Sequence, residues 1–225
     1  MELTLTVPTS LSDITLKQYQ RFIKIDKEGT DDIFIKQKMI QIFCDVPLLA
    51  VTKMKRKDFT SVCNQIIVVL NEKPNLVRTF KLNDVEYGFI PSLDNDMQLG
   101  EYIDLDEYLK DWESFNKAMA VLYRPISTKR KETYRIVEYD DKTPQATEFL
   151  DLTMDIVMGA LVFFYRLSSQ LLIITPKYLQ TQLEKNPKAM EVLESSGVGI
   201  HTYINSLEEA SLKLRQLLPY TLGLR

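Results

Sequence analysis

In GFIPSLDNDMQLGEYIDLDEYLKDWESFNKAMAVLYRPI, residues Gly88–Ile126, the only Trp of the chain and three of its eleven Tyr share one segment with a dense block of acid. From Asp94 to Glu113 eight carboxylates (Asp94, Asp96, Glu101, Asp104, Asp106, Glu107, Asp111 and Glu113) stand against one cation, Lys110. That local charge of −7 lies in a chain whose net charge is only −3, so the remainder is slightly cationic. Acidic disordered segments are poor in apolar residues. Here Leu99, Tyr102, Ile103, Leu105, Tyr108, Leu109, Trp112 and Phe115 interleave the acid. The segment therefore predicts folded helices over about Leu99–Leu109 and Trp112–Tyr123, with one anionic face. Asp104, Glu107 and Asp111 are spaced i, i+3, i+7, as one helical stripe would be.

Outward from this segment the pattern is mostly helical. Upstream, Arg78–Ile90 switches to a period of two, and RTFKL and VEYGFI flank Asn83-Asp84, which predicts a β-hairpin with a two-residue turn. Downstream, Thr133–Tyr139 is a strand candidate preceded by a basic loop, Lys129-Arg130-Lys131. Glu2–Val7 alternates like a short strand ended by Pro8. Thr15 followed by Gln18 suits a capping box that opens a helix to about Ile25. Further helices are expected from Asp31 or Asp32 up to Pro47 and over about Lys57–Glu72. Past Pro144 the chain reads as helical, with a last helix over about Thr202–Leu218 and an extended tail at 219–225.

The most apolar run is Leu152–Ile174. Asp155 and Arg166 interrupt it, and its longest charge-free stretch, Ile156–Tyr165, is short of the ~20 residues a membrane span requires. Apolar nearly all round, it is expected to be a central core helix rather than a span. The expected fold is mainly α with a small β element (α+β): one domain over 1–225, built around that helix, with a hairpin at about 78–90.

Composition bounds the chemistry. With 45% apolar and 26% charged residues the chain can fill a core and keep a soluble surface. Cys44 and Cys63 each fall inside an apolar helical pattern and read as buried thiols. His201 is the single histidine, at the start of a helical pattern. The phosphate-loop, nucleophile-elbow, zinc-protease and paired-cysteine motifs do not occur, and Gly197-Val-Gly199 reads as a helix stop. Asp104 with Asp106 or Glu107 offers oxygen ligands for a hard cation, but without calcium-loop spacing. Lys53–Lys57 (KMKRK) and Lys129–Lys131 (KRK) suit phosphate contact or a solvated surface. No catalytic residue, cofactor site or metal site is assigned. The candidate protein-interaction residues are the acidic Asp104, Glu107 and Asp111 and the basic Lys129, Arg130 and Lys131.

The order Tyr87-Gly-Phe, an acidic turn, Gly100-Glu-Tyr-Ile-Asp-Leu, Trp112, and Lys117-Ala-Met-Ala-Val-Leu-Tyr-Arg-Pro-Ile126 resembles a family of small tailed-phage proteins found beside virion genes, notably in crAss-like phages. VPTSLSDITLKQYQRF at the start and DIVMGALVFFYRL in the apolar run are also similar to that family, so the likeness spans most of residues 7–170. It implies a non-enzymatic structural subunit of the virion, in or near the short tail barrel of stacked rings below a twelve-fold portal. The implied partners are copies of itself in a ring, a twelve-fold one if it matches the portal, other portal and tail ring proteins, and passing DNA held without specific binding. The implied place is the virion, with the host cytoplasm during assembly. The alternative is a tail-assembly chaperone absent from the mature particle.

Overall fold

The structure is a computed structural model that describes residues 5–27, 32–91, 98–131, 133–140 and 146–164. Among them lie α1 (Leu16–Lys27), α2 (Asp32–Phe43), α3 (Leu48–Thr52), α4 (Arg56–Leu70), β1 (Thr79–Leu82), β2 (Val85–Phe89), α5 (Leu99–Tyr108), α6 (Phe115–Leu122), β3 (Tyr123–Arg130) and β4 (Thr133–Ile136). A seventh helix, α7, occupies 154–164. Seven helices and one four-stranded antiparallel sheet make the protein α+β and mainly helical, as the sequence predicts. The chain divides into two compact units. The first carries all these elements as far as Ala160, and of the second, Leu161–Pro219, only residues 161–164 are described.

Local chemistry explains the element boundaries. The Thr15 amide donates to Gln18 Oε1 at 2.9 Å, and the Gln18 amide donates back to Thr15 Oγ1 at 3.3 Å, so the capping box opens α1 where expected. Asn83 and Asp84 both take positive φ, 48° and 63°, which is the turn that matches the twist of a two-residue hairpin. Strand order is β1-β2-β3-β4, with α5 and α6 inserted between β2 and β3. In this sheet Gly88 lies under the Tyr134 ring, where a Cβ would collide with it. The Tyr134 hydroxyl then reaches the Phe89 carbonyl at 2.7 Å.

The sheet is larger than the single predicted hairpin. Residues 129 and 130, read from sequence as a loop, are the end of β3, which pairs with β2 and β4. Pro125 and the run Ser127-Thr-Lys-Arg130 hid this strand, because Pro and consecutive polar residues lower a strand reading. The register shift between Ile126 and Thr128 adds a bulge that breaks the alternation. At the N-terminus the predicted strand does not form over residues 5–7, which are irregular; residues 2–4, the helix at 202–218, His201 and the tail at 219–225 lie outside the described residues.

The core joins the sheet to the helices. Tyr87, Phe89, Tyr123 and Phe149 are buried, with Tyr87 edge-on to Phe149 at 5.2 Å. The Tyr87 hydroxyl donates to Glu148 at 2.8 Å; burial, then this carboxylate partner, push its pKa up to about 12. Met154, Val157, Met158 and Ala160 of α7 are all buried, as expected of the apolar run. Backbone bonds Leu16 N to Leu152 O and Met154 N to Ile14 O, both 2.8 Å, clamp the start of α1 to the start of α7. Gly159 faces the Asn75 backbone so closely that a Cβ would overlap its carbonyl. Gly159→Ala is expected to lower stability by about 1–3 kcal/mol through overpacking, despite alanine's better helix propensity, and a chemical denaturation curve checks the sign.

Candidate interaction surface

Helix α5 sorts its side chains into two rows. Glu101 and Leu105, one turn apart, are buried, whereas Ile103 is 58% exposed and Glu107 is exposed. The inward row is held by a buried ion pair missed in the sequence: Arg124 Nη1 on β3 donates to Glu101 Oε1 at 2.5 Å, with both side chains almost fully buried. Glu101 Oε2 also accepts the Gln98 amide at 3.0 Å, so one carboxylate caps α5 and ties it to the sheet. Arg124 lies 6.0 Å from the centre of the Tyr139 ring, whose hydroxyl donates to Asp104. The signal for this cluster was present: Arg124 is the one charge inside Ala118–Ile126, and a cation in such an apolar run calls for a buried anion.

The predicted acidic stripe is thus divided among several roles. Asp104 is half-buried and engaged by Tyr139. Glu107 accepts from Lys110 at 2.6 Å on the surface. Asp111 falls beyond the end of α5, where its carbonyl accepts the Ser114 amide at 3.2 Å and opens a 3-10 turn at Trp112–Ser114. Glu113, from the same acidic block, pairs with Lys24 of α1 at 3.3 Å. The basic trio sits elsewhere: Lys129 pairs with Glu86 of β2, Arg130 is exposed, and Lys131 takes a φ of 51° in the β3–β4 turn. No ion pair joins the acidic trio to the basic trio among the described residues.

A second surface lies across α2, α3 and α4. Between them runs an open cleft of about 500 Å³ whose apolar lining includes Ile33, Val51, Met54 and Phe59, with Cys63 at its buried floor. Ile33 is 59% exposed. Arg56 lines the cleft; its chain neighbours Lys53, Lys55 and Lys57 are exposed, as is Asp58 in the first turn of α4, and none of the four cations is in an ion pair among the described residues. Both cysteines are free and buried, as expected. Burial raises the pKa of each thiol, that of Cys44 to about 11, so neither is a thiolate nucleophile near neutral pH.

Among the described residues no three His, Cys, Asp or Glu side chains converge on a possible metal position, and no helix is long and apolar enough to cross a membrane. What the arrangement offers chemically is contact: an outward row on α5 with acid and one exposed isoleucine, a basic hairpin tip, and an apolar cleft with a basic end. Compared with known protein families, curated proteins and solved structures, the chain finds no match.

Proposed function

We propose that this chain is a structural, non-catalytic subunit of a tailed-phage virion, forming or joining the rings of the short tail and portal-proximal barrel through which DNA passes. Two lines support the reading. The first is the resemblance carried by Tyr87-Gly-Phe, the acidic turn, Trp112 and Lys117–Ile126. The second, and the observation on which it chiefly rests, is that the exposed cations Lys53, Lys55, Arg56 and Lys57 and the outward row of α5, with the exposed Ile103 and Glu107, stand on different elements of the chain. A ring subunit needs two different, complementary faces, because only a heterologous contact repeats by rotation. Neighbouring portal and tail ring proteins are the other partners of this reading, and DNA passes without specific binding.

Sedimentation of particles from infected cells tests it. The chain is expected to travel with DNA-filled particles through a density gradient. Recovery only in the soluble fraction at the top, with none in the particles, would instead assign it to transient assembly work of a chaperone type.

A further inference from the structure

We infer that the β3–β4 hairpin is a contact site for the phosphate backbone of duplex nucleic acid, met without regard to base sequence. The inference goes beyond the assembly role above and does not depend on it.

Strand register builds the site. β2 pairs with β3 only as far as Pro125, so from Ile126 onward β3 and β4 continue as a two-stranded ribbon. Thr128 stands opposite Arg135 and Arg130 opposite Thr133, and side chains that are opposite or two apart share a face. One face of the ribbon therefore carries two threonines and two arginines, which together with Tyr134 line a hollow of about 500 Å³. The hydroxyls of Thr133 and Ser127 donate to the Arg130 and Arg135 carbonyls at 3.0 and 3.2 Å, which steadies the backbone under both arginines. The other face is used within the protein: Lys129 pairs with Glu86, and the Tyr134 ring lies over Gly88. Arg130 and Arg135 are diagonal neighbours, close enough for long side chains to meet. Both are exposed, as is Lys131 at the turn, and none of the three is in an ion pair among the described residues. Glu138, exposed past the end of β4, shares a second hollow with Arg135 without pairing with it. By sequence, Ser127–Arg135 holds four cations against one acid, Glu132, which lies outside the described residues.

Donor geometry names the partner. A guanidinium presents forked N–H donors that match phosphate oxygens, and threonine hydroxyls commonly donate to the same groups. An anion held between Arg130 and Arg135 also removes their mutual repulsion. A two-stranded ribbon is narrow enough to enter the major groove of a duplex, where phosphates stand on both sides of it. The basic run at Lys53–Lys57 is the weaker receptor, because Asp58 follows it in the first turn of α4 and the Lys36–Asp32 pair stands on the neighbouring α2. The chain's net charge of −3 opposes a polyanion as a whole, so the contact is local and weak, the kind along which a duplex slides.

Fluorescence anisotropy of a short labelled duplex, titrated with the purified full chain over a salt series, tests the site. Wild type is expected to bind with a Kd of roughly 10⁻⁴–10⁻⁶ M at low salt. Three phosphate contacts, from Arg130, Lys131 and Arg135, give a slope of log K against log salt of about −3. R130Q/R135Q should bind about tenfold or more weakly and lower the steepness of that slope by about 2. K131Q, an independent check at the turn, should lower it by about 1. All three positions are exposed, so the variants' melting curves should match wild type, and scrambling the duplex sequence should change nothing. K55Q/R56Q/K57Q should bind as wild type does. A wild-type chain that fails to bind at the lowest salt would overturn the assignment, as would binding unchanged in both hairpin variants. Binding lost only in K55Q/R56Q/K57Q would move the site to α4. Polyglutamate that competes as well as duplex, charge for charge, would also overturn it and make the partner an acidic protein. None of these outcomes alters whether the chain travels with particles, so the inference can fail while the assembly reading stands.

Discussion

Trp112→Ala should lower the free energy of unfolding by about 3–5 kcal/mol, through lost apolar transfer and the cavity left behind. Trp112 is buried at the junction between α5 and α6, stacked on Phe115 with ring centres 4.5 Å apart and edge-on to Tyr19 of α1 at 4.7 Å. Its carbonyl also accepts Gln20 Nε2 at 2.6 Å. The indole thus holds the acidic segment against the N-terminal helix. In a chain of this length the loss corresponds to a fall in Tm of roughly 6–20 °C. Trp112→Phe, which keeps an aromatic ring, should recover a large share of it. A melt of the alanine variant within about 2 °C of wild type would contradict the packing described.

Arg124→Leu should be comparably costly, about 3–5 kcal/mol, for a different reason. It leaves the Glu101 carboxylate buried beneath α5 with its charge unanswered. Glu101→Leu combined with Arg124→Leu should recover most of the loss, since a matched apolar pair removes both desolvation costs; about 1 kcal/mol should remain lost with the cap that Glu101 gives the Gln98 amide. A double-mutant cycle on urea midpoints measures this directly. Additive single losses, with no recovery in the double variant, would mean that the two residues act independently. For Glu107 and Lys110, paired on the surface, the same cycle should give only a few tenths of a kcal/mol.

These two sites mark the limit of what the sequence could say. Periodicity placed the helices because their apolar rows are buried: Leu16, Tyr19, Phe22 and Ile23 on α1, and Cys63, Ile66, Val69 and Leu70 on α4. The capping pair Thr15–Gln18 and the Asn83-Asp84 turn were legible because both are local, each needing residues within three positions. Strand β3 was not. Its partners are 34 to 38 residues upstream and a few downstream, and neither Pro125 nor the bulge at Ser127 fits a period of two. The acidic segment was read correctly as folded helix but wrongly as one continuous stripe. Counting carboxylates along the chain cannot tell that Glu101 turns inward to Arg124, that Glu113 meets Lys24, or that α5 stops before Asp111. The cleft was invisible for the same reason: KMKRK is a solvated run until α2 and α4 place Ile33 and Phe59 beside it.

The outward row of α5 is only modestly acidic once these pairings are made. A ring subunit occurs in a fixed number of copies, because a heterologous contact that closes by rotation sets how many fit. If this chain builds a ring of the virion, as proposed, peptide quantification of purified particles against the portal protein will show it. A fixed ratio of one copy per portal subunit, or a small whole multiple of it, unchanged between preparations, is the predicted result. A ratio far below one that varies from preparation to preparation would contradict it.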